Sequence, residues 1–220
     1  MKTVAYDALE YAERLCENDS GGHDPGHIER VFRTAVRLAV EEHADVTVCA
    51  LAAALHDADD RKLSPETYEN KDNARLFLKN SGMSDGMIET VVKIIGEVSF
   101  RGSDSVVPES LEGKIVQDAD RLDAIGAVGI ARCFAFGGSK GRKIYDRTEK
   151  PVMLSDGKTY CSLNSCSINH FYEKLLFLRD MMNTSSARRE AEKRHDYMCG
   201  FLREFYNEIG EDAPDFLSAE

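Results

Sequence analysis

The 220 residues carry 39 acidic against 28 basic side chains, a formal charge of −11, with 42% hydrophobic and 30% charged residues. That balance describes a globular chain with ample material for a core, and its acidity excludes a nucleic-acid backbone as the main partner, because such binders present basic faces. The longest apolar run, VCALAAAL, is far short of a bilayer span and the N-terminus lacks a signal-peptide core, so a cytoplasmic protein without a membrane partner is expected.

Apolar residues at helical spacing predict a first helix over 3–18, followed by the breaker cluster Asn18-Asp19-Ser20-Gly21-Gly22. Asp24 suits an N-cap and Pro25 the first turn of a second helix, from about Gly26 to His43. His27 then lies in that first turn, with Arg30 beside it. Asp45 or Thr47 caps a third helix, Val46 to about Ala58, whose Ala-rich centre predicts burial on all sides and which ends in His56-Asp57. Ser64-Pro65-Glu66 predicts a helix start running through Leu78, and Ser84 to about Val98 predicts another. Residues 101–109 read as loop.

A helix from Pro108 or Ser110 carries Asp118, Asp120 and Asp123, and the run Gly126–Ile130 is expected to kink or split it. Residues 137–163 read as a long irregular stretch, with a short hairpin as the sole strand candidate inside 151–162. Helices over 168–183 and 185–209 complete an all-α chain, read as a single domain over 1–220, with a loose tail after Gly210. The six cysteines, at 16, 49, 133, 161, 166 and 199, read as reduced thiols, since no secretory signal accompanies them. Cys161 and Cys166 have no second pair with which to form a zinc site.

Three short stretches carry the chemistry: GHDPGHIERV, ALHDADD and IVQDADRLDAIG. Each places an imidazole or carboxylate in an apolar helical context, where an unpaired polar group is costly. Two histidines and two aspartates form a plausible ligand set for one divalent ion, with Mn, Fe, Ni, Co, Zn and Mg all compatible. His23 competes with His27 for the first position, although a helix holds a ligand more rigidly than a Gly-rich loop does. Asp118, Asp120 and Asp123 compete for the last.

These stretches, with INHFYEKL at Ile168–Leu175, resemble the HD-domain phosphohydrolase superfamily and within it the stand-alone bacterial members. The resemblance covers a metal-site core at about 20–135 and implies a bundle of antiparallel helices, with His27, His56, Asp57 and Asp120 as ligands. Asp118 and Asp123 then either orient those ligands or are solvated helix carboxylates. Relatives that bind two metals need further histidines between the doublet and the last aspartate. None occurs between Asp57 and Asp120, which implies a single ion.

The implied activity is metal-dependent phosphohydrolysis of a nucleotide or other small phosphorylated metabolite by a metal-bound water. Pyrophosphohydrolysis of nucleoside or deoxynucleoside triphosphates is favoured. The alternative is a non-catalytic regulator that binds metal or nucleotide. Asp60 is the expected catalytic base, with Asp59 as its control. Arg30 grips a phosphate or else pairs with Asp24 or Asp57. Lys62, Arg101, Lys140, Arg142 and Lys174 are further candidate substrate contacts. Over 137–158 six basic side chains, Lys140 and Arg142 among them, stand against three acidic ones, and this local excess reads as a lid with hinges at Gly137-Gly138 and Gly141.

Overall fold

The computed structural model describes residues 2–17, 24–61, 64–98, 105–152 and 165–214, and among these the regular elements are all helical. The most apolar of them sits at the centre. Helix α3, Val46–Leu55, is preceded by α1, Lys2–Leu15, and α2, Pro25–Glu41, and all three pack together. Every α3 residue from Val48 to Leu55 is buried, so beyond its first two residues the helix has no solvent face. Ala52, Ala53 and Ala54 are wholly enclosed. Their small size lets α1 and α2 approach closely, and a larger side chain there would cost about 1–3 kcal/mol in overpacking.

Helix α4, Asp72–Asn80, starts later than Ser64-Pro65-Glu66 predicts, and residues 65–71 form turns. The cause lies outside the segment. The buried Asp59 carboxylate accepts the Asn73 and Ala74 N–H groups, each at 3.0 Å, and so fixes where the helix begins. Lys71 takes a left-handed conformation, φ +57°, to enter it. Helix α5, Asp85–Val98, packs on α3 and on α6, Leu111–Asp123, which Ser110 caps through Gly113 N–H at 3.0 Å.

The predicted break after α6 is real. Gly126, at φ +77°, opens α7, Gly126–Ser139, and the two helices meet at 64°. At Gly129 a side chain is excluded outright, since a Cβ would lie 2.2 Å from the Ala124 carbonyl oxygen. Helix α7 runs through Gly137 and Gly138, so the irregular stretch begins at Lys140, later than expected. The hairpin expected within 151–162 lies largely outside the described residues.

The predicted helix over 168–183 is broken in two. Helix α8, Ser167–Glu173, gives way at Lys174 to a 3-10 turn, Leu175–Met181. Buried Arg121 on α6 donates to the Met181 carbonyl and draws the end of that turn onto the core. Helix α9, Ser185–Glu208, then packs along α6 and α7.

Candidate metal centre

Asp24 caps α2 by accepting the His27 N–H at 3.2 Å, and Pro25 supplies the preorganised first turn. This pair of local signals fixes the His27 ring at the entrance of the helix, 3% exposed. His56 is the C-cap of α3, where its Nδ1 lies 2.8 Å from the Ala53 carbonyl. His27 Nδ1 lies 2.8 Å from Asp123 Oδ2. Both Nδ1 atoms face acceptors, so in the neutral form of each ring Nδ1 carries the proton and Nε2 presents a lone pair.

Those two Nε2 atoms are 3.3 Å apart. Asp57 Oδ2 lies 3.2 Å from His56 Nε2 and 3.5 Å from His27 Nε2. Those three residues form the tight group, and Asp120 Oδ1 stands beside it at 3.5 Å from His27 Nε2 and 4.0 Å from His56 Nε2. Neighbouring ligands around one ion bound at about 2.1 Å stand roughly 3 to 3.5 Å apart, so the donor set and its spacing fit a single divalent cation. His27, His56 and Asp57 are buried, whereas the Asp120 side chain is 26% exposed, which leaves the cluster open on that side.

Burial opposes a charge on His56, yet Asp57 and Asp120 outweigh it and raise its pKa to about 9. A proton and a metal ion therefore compete for Nε2. Apparent Mn affinity is expected to rise about tenfold per pH unit from 7 towards 9, and a pH series of metal titrations checks it.

Asp123 is not a solvated carboxylate. It is 4% exposed and receives Arg30 through Nε at 2.7 Å and Nη2 at 3.1 Å, as well as Arg132. Burial alone would raise its pKa, but the His27 and Arg30 hydrogen bonds, with the charges of His27 and Arg132, hold it well below the usual carboxylate range. Arg30 thus pairs with Asp123 and not with the expected Asp24 or Asp57. Asp123→Asn is expected to weaken metal affinity about 10- to 100-fold while the fold persists, as read by metal titration and circular dichroism. Asp118 lies fully buried elsewhere, bound to Asn183 and Thr184.

Asp60 follows on the turn after α3. Its N–H donates to the Asp57 carbonyl at 3.0 Å and its carbonyl accepts Ser64 N–H at 2.8 Å, so its backbone is fixed beside the cluster. Asp59 instead serves the start of α4. Lys62, Arg101 and the competing His23 lie outside the described residues. Lys140 and Arg142 gather over the Phe136 ring at 5.6 and 5.4 Å, at the end of α7 remote from Gly126. Burial, then the charges of Lys174 and Arg142, push the pKa of His170 down to about 3. Arg132 was missed by the sequence reading and stands beside His27, its Nη1 3.1 Å from Nδ1.

The described part of the basic stretch is fastened down. Lys143 and Ile144 carbonyls accept Ser167 and Ile168 N–H at 2.9 and 3.0 Å, and Tyr145 and Arg147 reach Glu211, each at 2.6 Å. Gly137, expected as a hinge, is helical and pressed against Ser167. Residues 140–152 are therefore held as a strap, and the rest of the stretch expected as a lid lies largely outside the described residues.

Residues 26–125 match the model of the HD domain family. The chain is 38% identical over 201 residues, 90% of each sequence, to the Bacillus subtilis strain 168 protein YpgQ. A crystal structure of YpgQ in complex with ADP is similar with a TM-score of 0.75 and 36% identity, over 93% of this chain and 97% of that one. A Lactobacillus plantarum crystal structure reaches a TM-score of 0.82 at 35% identity, over 96% of this chain and 99% of that one. An HD-superfamily hydrolase from Bacillus thuringiensis reaches 0.76 at 37% identity, with the same coverage.

Proposed function

From the premise that this chain belongs to the HD-domain family, we propose that it is a metal-dependent phosphohydrolase acting on nucleotides, with nucleoside or deoxynucleoside triphosphates as the favoured substrates. The observation that carries this reading is the convergence of His27, His56, Asp57 and Asp120 on one point with an open side. The ADP complex of YpgQ supports a nucleotide as ligand.

His27, His56, Asp57 and Asp120 would hold the divalent ion, which when bound polarises a phosphoryl oxygen and acidifies water. The protein's own groups do the rest. Asp123 and the Ala53 carbonyl hold the two imidazoles in the ligating tautomer. Asp60 accepts the proton of the attacking water. Arg132, a quarter exposed beside His27, offers a guanidinium to a phosphate oxygen, and Lys62 and Arg101 are assigned the same role from sequence. Arg30 is committed to Asp123, so its contribution to substrate is through the orientation of His27. Lys140 and Arg142 form a separate basic group and, with Lys174, are assigned at most to the distal part of a substrate.

The favoured reaction takes a nucleoside triphosphate and water to the monophosphate and pyrophosphate. The test is a panel of nucleoside and deoxynucleoside phosphates with protein loaded with Mn, Fe, Co, Ni, Zn or Mg, products being resolved by phosphorus NMR. Pyrophosphate release is the expected result, with Asp60→Asn lowering kcat about 10²- to 10⁴-fold at unchanged metal content. Nucleotide binding without turnover under every metal would overturn the enzyme and favour a regulator.

A further inference from the structure

We propose a second site, between α2, the start of α7 and α9, that binds the phosphate group of a nucleotide by charge and without a metal. An open surface groove of about 530 Å³ lies there. Arg30, Arg33, Lys193 and Arg194 line it against one carboxylate, Asp123. Such a concentration of cations runs against the composition of a chain at −11. It marks a place for an anion.

Lys193 and Arg33 are available to a ligand. Asp123 is already saturated by His27, Arg30 and Arg132, and so neutralises none of the other three. Arg33 with Glu29 at 2.6 Å and Arg194 with Glu190 at 3.0 Å are pairs one helical turn apart, of the kind worth only a few tenths of a kcal/mol. Lys193 has no partner among the described residues. Arg194 is held in place, its Nη1 donating to the Leu122 carbonyl at 2.5 Å and its Nε to Glu190 at 3.0 Å, and so forms a fixed wall of the site. Its stem lies across Gly126, where a Cβ would come within 3.0 Å of Arg194 Cγ.

The opening turn of α7 lines the same groove. Its peptide N–H groups have no intrahelical acceptors, and Ile125 caps them with no side chain, which adds partial positive charge to that of Lys193 and Arg33. Tyr197, one turn beyond Lys193 and 59% exposed, offers a ring to a base. Asp123 forms the wall towards the metal centre, and none of His27, His56, Asp57 or Asp120 lines the groove. The site therefore stands whether or not the metal centre turns a substrate over. A phosphate in it would compete with Asp123 for Arg30.

Calorimetric titration of the metal-loaded full chain with ADP tests this, alongside the same titration in excess EDTA and a third with inorganic pyrophosphate. Two ADP per chain are expected with metal and one in EDTA. Lys193→Glu is expected to weaken the chelation-resistant event tenfold or more, about 1.4 kcal/mol, and to leave the chelation-sensitive one in place. Tyr197→Ala is expected to weaken it for ADP and not for pyrophosphate. Absence of binding in EDTA, or binding that Lys193→Glu leaves untouched, overturns the site. Pyrophosphate binding as tightly as ADP in EDTA overturns the nucleotide as its ligand.

Discussion

Asp57→Ala is expected to reduce bound metal from one ion per chain to a small fraction, and turnover by at least about a thousand-fold. The carboxylate faces both imidazole Nε2 atoms at 3.2 and 3.5 Å, and no other described acid reaches both so closely. Removing it leaves the two imidazoles and Asp120, a set with one negative charge fewer and one ligand position lost. Thermal melting separates this from simple unfolding. Mn at about a hundred times its Kd should stabilise the parent protein by about 2.7 kcal/mol, which for a chain of this size raises Tm by about 5 to 10 °C. The variant should show no such rise, and its metal-free Tm should lie close to that of the metal-free parent. A variant that melts much lower without metal, yet still gains from Mn, would place Asp57 in the scaffold and not in the cation site.

The cluster of His27, His56 and Asp57 was legible because each of its residues sits at a strong local signal. Asp24-Pro25 fixes the helix start that carries His27, and the uniformly apolar α3 leaves His56-Asp57 as the polar break at its end. The choice among three aspartates on α6 was also within reach. At 3.6 residues per turn, Asp123 lies roughly 60° from Asp120 on one face, whereas Asp118 lies roughly 160° away. Helical phase alone thus assigns Asp123 to the histidine side and Asp118 to the opposite one. Other features depend on partners remote in sequence. The start of α4 is set by Asp59, the break at Lys174 accompanies the hold of Arg121 on Met181, and the basic stretch is held by Glu211. No periodicity within those segments announces such contacts. Arg132 was hidden for the same reason, since it is the 64° turn at Gly126 that brings it back over Asp123.

Asp118→Ala is expected to cost about 3–5 kcal/mol and to lower Tm on the order of 10 °C, with metal content of the folded protein unchanged. Asp118 is wholly buried, and burial pushes its pKa up against the pull of its hydrogen bonds. Oδ1 accepts Asn183 N–H at 2.8 Å and Asn183 Nδ2 at 2.9 Å, and Oδ2 accepts Thr184 N–H and Oγ1, both at 2.8 Å. Thr184 in turn caps α9 through Ala187 N–H. One carboxylate therefore fixes the entry of the longest described helix onto α6, and Gln117 extends the same network to Asn183 at 3.0 Å. Truncation strands buried donors. Asp118→Asn should restore little, because an amide nitrogen would then face two of them. Asp120→Asn is the matched control, two residues away on the face that meets His27, and is expected to lose metal at nearly unchanged metal-free Tm. If Asp118→Ala instead loses the metal and keeps its melting temperature, the division of labour between the two faces of α6 is wrong.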